Sequence, residues 1–530
     1  MGPGRGSSRR TAPPPTASNT GRGGTLTRST DPLTERSAVD LARMIRTGGT
    51  TAREVVEAHI AVLERVNPVV NAVVVDAFDA ARARADRADE QVAAAGPDDV
   101  LPPLLGVPFT VKESIAVDGM PNSAGVVARR NHRAERTAPV VRRMTDAGAI
   151  PLGLTNTSEL CMWIETENRV YGRTSNPYDP VRTAGGSSGG EGATVGSGGA
   201  PFGLGSDVGG SIRMPAFCCG VFGHKPSVGL VPLTGAFPAP RGGAARLLAN
   251  GPLARRAEDL MPLLRLLAGP DGEDPLCRPA PLGDPATVRL DGLRVLITEH
   301  AWLRPISREL LAARDRAAAL LESLGATVEH LPLRAARRMI EPYLAILSGG
   351  GSLHDILRAE GSDVGWRATL SRGGEHTRAT KVLLLGEPLS ARVPAMRTGA
   401  AMAAGLGFAR EFVSTIGDAV VLHPPAPTVA PRHGRTIGRM DWPQPMGLFN
   451  LAGLPVTQVP LGLNGRGLPL GVQVAAGPGR DHVSIRVAQE LERAFGGWVP
   501  PETRQRTPTT RDPVHEIISR LRTGDVLSET

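Results

Sequence analysis

The chain has 530 residues, 41% of them hydrophobic and 21% charged, which excludes a disordered or fibrous protein and allows a substantial core. The net charge of +8 is local: Arg5, Arg9, Arg10, Arg22 and Arg28 precede the first acid, leaving +3 over the rest, and 3% aromatics is too few for a base-stacking surface, so nucleic acid is not an expected partner. Four cysteines without a CxxC pair exclude a disulfide scaffold, histidines without HxH or HExxH point to no metal or other cofactor, and no run approaches the ~18–20 apolar residues of a membrane span.

Residues 1–31 are rich in Gly, Pro, Ser, Thr and Arg without apolar periodicity and read as a disordered tail. Amphipathic helices follow over Ala38–Thr47 and Thr51–Val66, split by Gly48-Gly49, with Thr51 and Glu54 spaced as a capping box. Leu104–Val111 reads as a buried strand ending at Lys112, Val140–Ala147 as a helix stopped by Gly148, and Ala149–Leu154 as the next strand. From Leu293 the pattern is strand (Leu293–Ile297), helix (Arg308–Leu324), strand (Ala326–Leu333), then a mostly helical stretch over 335–415. Ala419–Leu422, Val456–Leu461 and Leu468–Val474 read as late strands, Val483–Phe495 as a closing helix and 501–530 as a polar tail. This alternation predicts an α/β architecture.

Lysine usage gives the first chemical signal. Of 60 basic residues only Lys112, Lys225 and Lys381 are lysines. Where arginine serves almost every need for positive charge, a retained lysine suggests a place where a proton must be given up, which arginine cannot do. The glycine-rich stretch 183–230 supplies serines for such a base. Gly186-Ser187-Ser188-Gly189-Gly190 fits G-x-S-x-G with Ser188 central, but Asn176-Pro177-Tyr178-Asp179-Pro180 before it reads as loop, against a nucleophile elbow. Gly209-Gly210-Ser211 could form a nest of backbone N–H groups for an oxyanion, or a plain turn. No histidine has a carboxylate partner assignable from sequence, so a Ser-His-Asp triad has no support.

Taken together, Gly185-Gly186-Ser187-Ser188-Gly189-Gly190-Glu191-Gly192, Gly209-Gly210-Ser211-Ile212-Arg213 and Gly106-Val107-Pro108-Phe109-Thr110-Val111-Lys112-Glu113 resemble the amidase signature family. The likeness runs from about residue 37 to about 500 and is weakest over 335–415. Within the family the chain most resembles the fatty-acid amide hydrolases, especially their second type, through Pro427-Thr428-Val429-Ala430-Pro431, Gly453-Leu454-Pro455-Val456-Thr457-Gln458 and Gly467-Leu468-Pro469-Leu470-Gly471-Val472-Gln473. Those hydrolases carry an N-terminal membrane segment that is not seen here.

The resemblance implies one large domain over 32–500, with a signature core at about 104–230 and a central mixed, twisted sheet covered by helices on both faces. It implies Ser211 as nucleophile, Ser187 as bridging serine after a cis peptide bond, and Lys112 as base. A buried Lys112 would be neutral, so Glu113 should point away from it. The N–H groups of Val208, Gly209, Gly210 and Ser211 would form the oxyanion hole. Ser188, Asp207 and Arg213 would support the loop, with a surface ion pair as the alternative reading of the last two. Cys161, in the segment Thr157–Trp163, would lie near the acyl group with Ser187, and Lys225 reads as structural. The expected activity is hydrolysis of a small-molecule carboxamide, fatty-acid or otherwise apolar, in the cytoplasm and without a cofactor. An esterase or amide-forming acyltransferase with the same acyl-enzyme, or a silent binding subunit, is the alternative. Oligomeric state is open, a homodimer included.

Overall fold

The computed structural model describes Met1 and residues 32–501 apart from 299–304, 333–339, 349–350, 372, 391–398 and 440–443. The tails expected at 1–31 and 501–530 therefore lie almost wholly outside the described residues. The strands are β1 (Val73–Asp76), β2 (Pro108–Lys112), β3 (Ile150–Thr155), β4 (Glu167–Asn168), β5 (Gly172–Arg173), β6 (Phe202–Asp207), β7 (Phe222–Lys225), β8 (Ala249–Ala254), β9 (Arg294–Thr298), β10 (Thr327–Leu331), β11 (Val420–His423), β12 (Val456–Leu463) and β13 (Pro469–Ala475). Eleven form one mixed sheet in the order β1-β3-β2-β6-β8-β7-β12-β13-β11-β9-β10, and β4 and β5 form a separate pair.

Local chemistry sets most element ends. The helix Ala52–Val70 begins on the expected box: Thr51 Oγ1 accepts from Glu54 N at 3.0 Å and Glu54 accepts from Thr51 N at 3.1 Å. The strand expected from Leu104 starts only at Pro108. Gly106 sits at φ +80°, and Leu104–Val107 closes a turn through Val107 N donating to Leu104 O, so the chain is not extended there. The segment 335–415 is helical where described: Ile340–Ser348, Leu353–Ala359, Trp366–Leu370, Arg378–Ser390 and Gly399–Ile416.

β2 is buried along its whole length and lies between β3 and β6, parallel to both. Burial on both faces explains its continuous apolar run. Phe109 and Phe202 pair across β2 and β6 and stack with ring centroids 5.3 Å apart. Because the three strands are parallel, the ends carrying Lys112, Thr155 and Asp207 share one edge, where open α/β sheets gather their sites. No helix among the described residues is long and apolar enough to cross a membrane.

Candidate active site

Lys112 ends β2 with no solvent exposure. Its Nζ lies 2.7 Å from Ser187 Oγ and 3.0 Å from Ser206 Oγ. Burial lowers its pKa from the ordinary lysine value, with Cys161, Asp207 and Glu191 pulling the other way. Two carboxyls stand near Lys112 in space or in sequence. Glu191 accepts from Thr110 Oγ1 at 2.6 Å and Thr155 Oγ1 at 2.7 Å, and burial pushes it up to about 8. Glu113 faces the other way, accepting from Ser123 N, Ser123 Oγ, Ala124 N and Tyr171 Oη.

Ser187 follows a cis peptide bond from Gly186 and is fully buried. Ser188 stands at the N-cap position of the helix Gly189–Gly196 without a side-chain capping bond; its Oγ lies 3.3 Å from Ser206 O and 3.4 Å from Ser206 N, which ties the serine turn to β6. Ser188 N in turn donates to Ser211 O at 3.2 Å. Ser211 keeps 8% exposure while Lys112 and Ser187 keep none, so of the three it alone reaches an accessible surface.

The turn before Ser211 is held by a buried ion pair, not a surface one. Asp207 and Arg213 are both fully buried. Asp207 accepts from Gly210 N at 2.7 Å, Ile212 N at 3.1 Å and Arg213 N at 3.3 Å, and from Arg213 Nε and Nη2 at 3.0 Å each. Burial pushes this carboxyl up, but the Arg213 guanidinium outweighs it and holds Asp207 well below the usual range. Arg213 also donates to Met446 O, Gln473 Oε1 and Asn450 Oδ1. Of the four amides expected at an oxyanion hole, that of Gly210 is turned into Asp207. The N–H groups of Val208, Gly209 and Ser211 have no protein acceptor among the described residues. Gly210 has φ +113°, and a Cβ there would lie 2.3 Å from Met446 Sδ, so both conformation and space require glycine.

Cys161 is half-buried, with Sγ 3.3 Å from Thr157 Oγ1. It and Leu160 adopt left-handed φ of 59° and 54°, strained for side chains of this kind. The surroundings over-determine that loop. Leu160 N donates to Ala124 O, and buried Glu159 accepts from His376 Nδ1 at 2.6 Å, Thr377 N at 2.8 Å and Thr380 Oγ1 at 2.8 Å. Lys225 is buried with Nζ on Pro226 O at 2.9 Å, and burial lowers it to about 7.

Sequence reasoning missed Ser206, Asn450 and the role of Gln473, as well as the buried carboxylate partners of His224 (Asp481, 3.1 Å) and His376 (Glu159). Ser206 had one available signal, its place immediately before Asp207 and three residues ahead of Gly209-Gly210-Ser211.

The Amidase family model matches residues 54–484. The chain belongs to the amidase family. It is 40% identical over 494 residues to fatty-acid amide hydrolase 2 of Homo sapiens, covering 89% of this chain and 91% of that one. It is 33% identical over 469 residues to the indoleacetamide hydrolase of Bradyrhizobium diazoefficiens, covering 88% and 87%. A bacterial aryl acylamidase of the amidase signature family superposes with a TM-score of 0.76 at 25% identity, over 89% of this chain and all of that one. This chain is accordingly an amide-hydrolysing enzyme with the expected mixed sheet.

Proposed function

We propose that the enzyme cleaves an uncharged, apolar carboxamide through an acyl-enzyme on Ser211, with Ser187 and Lys112 as a proton relay. The observation that carries this reading is the Lys112 amine, buried and desolvated, 2.7 Å from the Ser187 hydroxyl. A serine hydroxyl is a poor nucleophile until its proton is taken. Neutral Lys112 accepts the Ser187 proton, Ser187 accepts that of Ser211, and Ser211 Oγ attacks the carbonyl carbon. The developing oxyanion is met by the amides of Val208, Gly209 and Ser211. The relay then reverses: Lys112 returns the proton through Ser187 to the departing nitrogen, which would leave poorly as an anion. Water, deprotonated by the same relay, releases the carboxylic acid.

The apolar acyl group is supported by two relatives named for fatty-acid and indoleacetamide substrates, both uncharged amides of apolar acids. The test is a serine-directed fluorophosphonate followed by peptide mapping, run beside release of amine from a fatty primary amide. Label on Ser211, lost together with cleavage in Ser211→Ala, is the expected result. Label on Ser188, or an active Ser211→Ala, overturns the assignment. A protein that hydrolyses no amide and resists the probe overturns the enzyme reading altogether.

A further inference from the structure

Gly209 presents a puzzle that leads to a residue outside the proposed relay. Its φ lies outside the left-handed region, so its backbone would accept any residue. A Cβ there would nevertheless lie 2.3 Å from Tyr343 Oη and 3.3 Å from Tyr343 Cζ. A side chain at 209 would therefore have to push the phenol aside. Tyr343 stands on the helix Ile340–Ser348, and its hydroxyl donates to Val208 O at 3.0 Å.

That carbonyl belongs to the same peptide unit as the Gly209 N–H. In a trans peptide C=O and N–H point in opposite directions across one rigid plane. Fixing the oxygen therefore fixes the direction of the N–H. We infer that Tyr343 is a positioning residue for amide cleavage: its hydroxyl pins the Val208–Gly209 peptide so that Gly209 N–H stays aimed at the developing oxyanion. Asp207 holds the next peptide of the turn, Gly209–Gly210, through Gly210 N at 2.7 Å, so two consecutive planes are each held by one hydrogen bond. The inference rests on the reading that these amides form the oxyanion hole.

It has a consequence for how the enzyme is assembled. Tyr343 lies in the segment where the likeness to the family is weakest. The helix that carries it packs on the helices Gln444–Leu451 and Gly399–Ile416, and a Cβ on Gly447 would lie 3.6 Å from its ring. Movement of this divergent helical segment would therefore reach the oxyanion turn directly, through one hydroxyl.

Tyr343→Phe keeps the ring and removes only the grip. On a fatty primary amide we expect kcat to fall about tenfold, part of what losing a whole oxyanion donor costs, with KM within about twofold. A trifluoromethyl ketone with the same acyl chain, which forms an oxyanion on the nucleophile, should bind about tenfold more weakly. Its alcohol analogue, which forms none, should bind as before. Unchanged kcat, a change confined to KM or to chain-length preference, or equal weakening of ketone and alcohol would mean that Tyr343 only lines the acyl pocket, and would overturn the inference. Should Tyr343→Phe melt early, Gly209→Ala provides the second variant. It displaces the phenol, so its loss of kcat should be smaller in the Y343F background; additive losses would count against the grip. Wild-type labelling and cleavage are measured first. Their absence removes the underlying reading as well, whereas an active wild type with an unaffected Y343F variant removes only this inference.

Discussion

Asp207→Asn tests the turn that presents Ser211. Each carboxylate oxygen of Asp207 faces three donors: Oδ1 meets Gly210 N, Arg213 Nη2 and Asn450 Nδ2, and Oδ2 meets Ile212 N, Arg213 N and Arg213 Nε. An amide of the same shape must turn its NH₂ toward one of these sets, whichever way it flips. It also leaves the fully buried Arg213 without its counter-charge. Breaking a buried pair by neutralising one partner costs about 3–5 kcal/mol. In a body of this size roughly 1 kcal/mol corresponds to about 1 °C, so Tm should fall by about 3–5 °C. The pH dependence has a definite sign. The folded pKa is held below the ordinary value of 3.8, so the pair stabilises fully above that value and progressively less as pH falls through the folded one. Wild type should thus lose its advantage over Asp207→Asn only in strong acid. The assay is thermal melting from pH 3 to 8, with fluorophosphonate labelling of Ser211 as the readout of turn geometry. Asp207→Asn with Arg213→Met should recover part of the lost stability, since no buried charge is then unpaired. A single variant that melts within 1 °C of wild type at pH 7 and labels at the wild-type rate would refute this reasoning.

Lys112→Arg puts a permanently protonated group where the relay needs a neutral amine, so kcat should fall about 10²–10⁴-fold, with thermal melting run beside it to separate lost chemistry from lost fold. In wild type, kcat/KM should rise with pH through an apparent pKa below the ordinary lysine value of 10.5, because the active form is the neutral amine; a rate independent of pH from 5 to 10 would exclude that. Ser206→Ala removes one of the two hydroxyls on Lys112 Nζ, and the loss of one hydrogen bond of about 0.5–1.5 kcal/mol should slow turnover about 2–10-fold at unchanged KM. His376 has a carboxylate on one ring nitrogen and the Asp363 carbonyl on the other; burial opposes its charge, but Glu159 outweighs that and raises its pKa. Its stabilisation is complete below about 6.5 and is lost as pH rises through the raised value, so hydrogen exchange over 353–390, corrected for intrinsic rate, should accelerate at pH 9 in wild type and already at pH 6 in His376→Gln.

What was legible in the sequence is what is local. Lys112 ends an apolar run, and the serine-glycine clusters carry their meaning within a few residues. Ser206 was not assigned because its contact with Lys112 spans 94 residues and exists only once β6 lies beside β2. The register of Val111 opposite Leu204 is what brings the end of β2 level with Ser206. The helix Gly189–Gly196 was hidden for the opposite reason. Half its residues are glycine, a composition that opposes helix formation. They are there for space: a Cβ on Gly190 would lie 2.4 Å from Asn156 N, and one on Gly192 would lie 2.8 Å from Pro215 Cβ. Packing overrides propensity there, and sequence alone does not reveal the neighbours. The Glu159–His376 contact joins residues 217 apart and was equally out of reach.

The scarcity of lysine can now be given a physical reading. Of the three, Lys112 and Lys225 have no exposure, and Lys381 donates to Ser371 O and Gly373 O, which precede its own helix. Burial alone does not make a base, because both buried amines are pushed toward neutrality. The partners separate them. Lys225 meets the Pro226 carbonyl, which accepts a hydrogen bond and has no proton to pass on. Lys112 meets two hydroxyls, each able both to give and to take a proton. A compact amine fits between them, whereas a planar guanidinium with five fixed donors would need more acceptors than the two hydroxyls offer. The rarity of the residue pointed to a proton that must be given up, and of the two buried lysines only Lys112 has hydroxyls around its nitrogen, as the proposed relay needs.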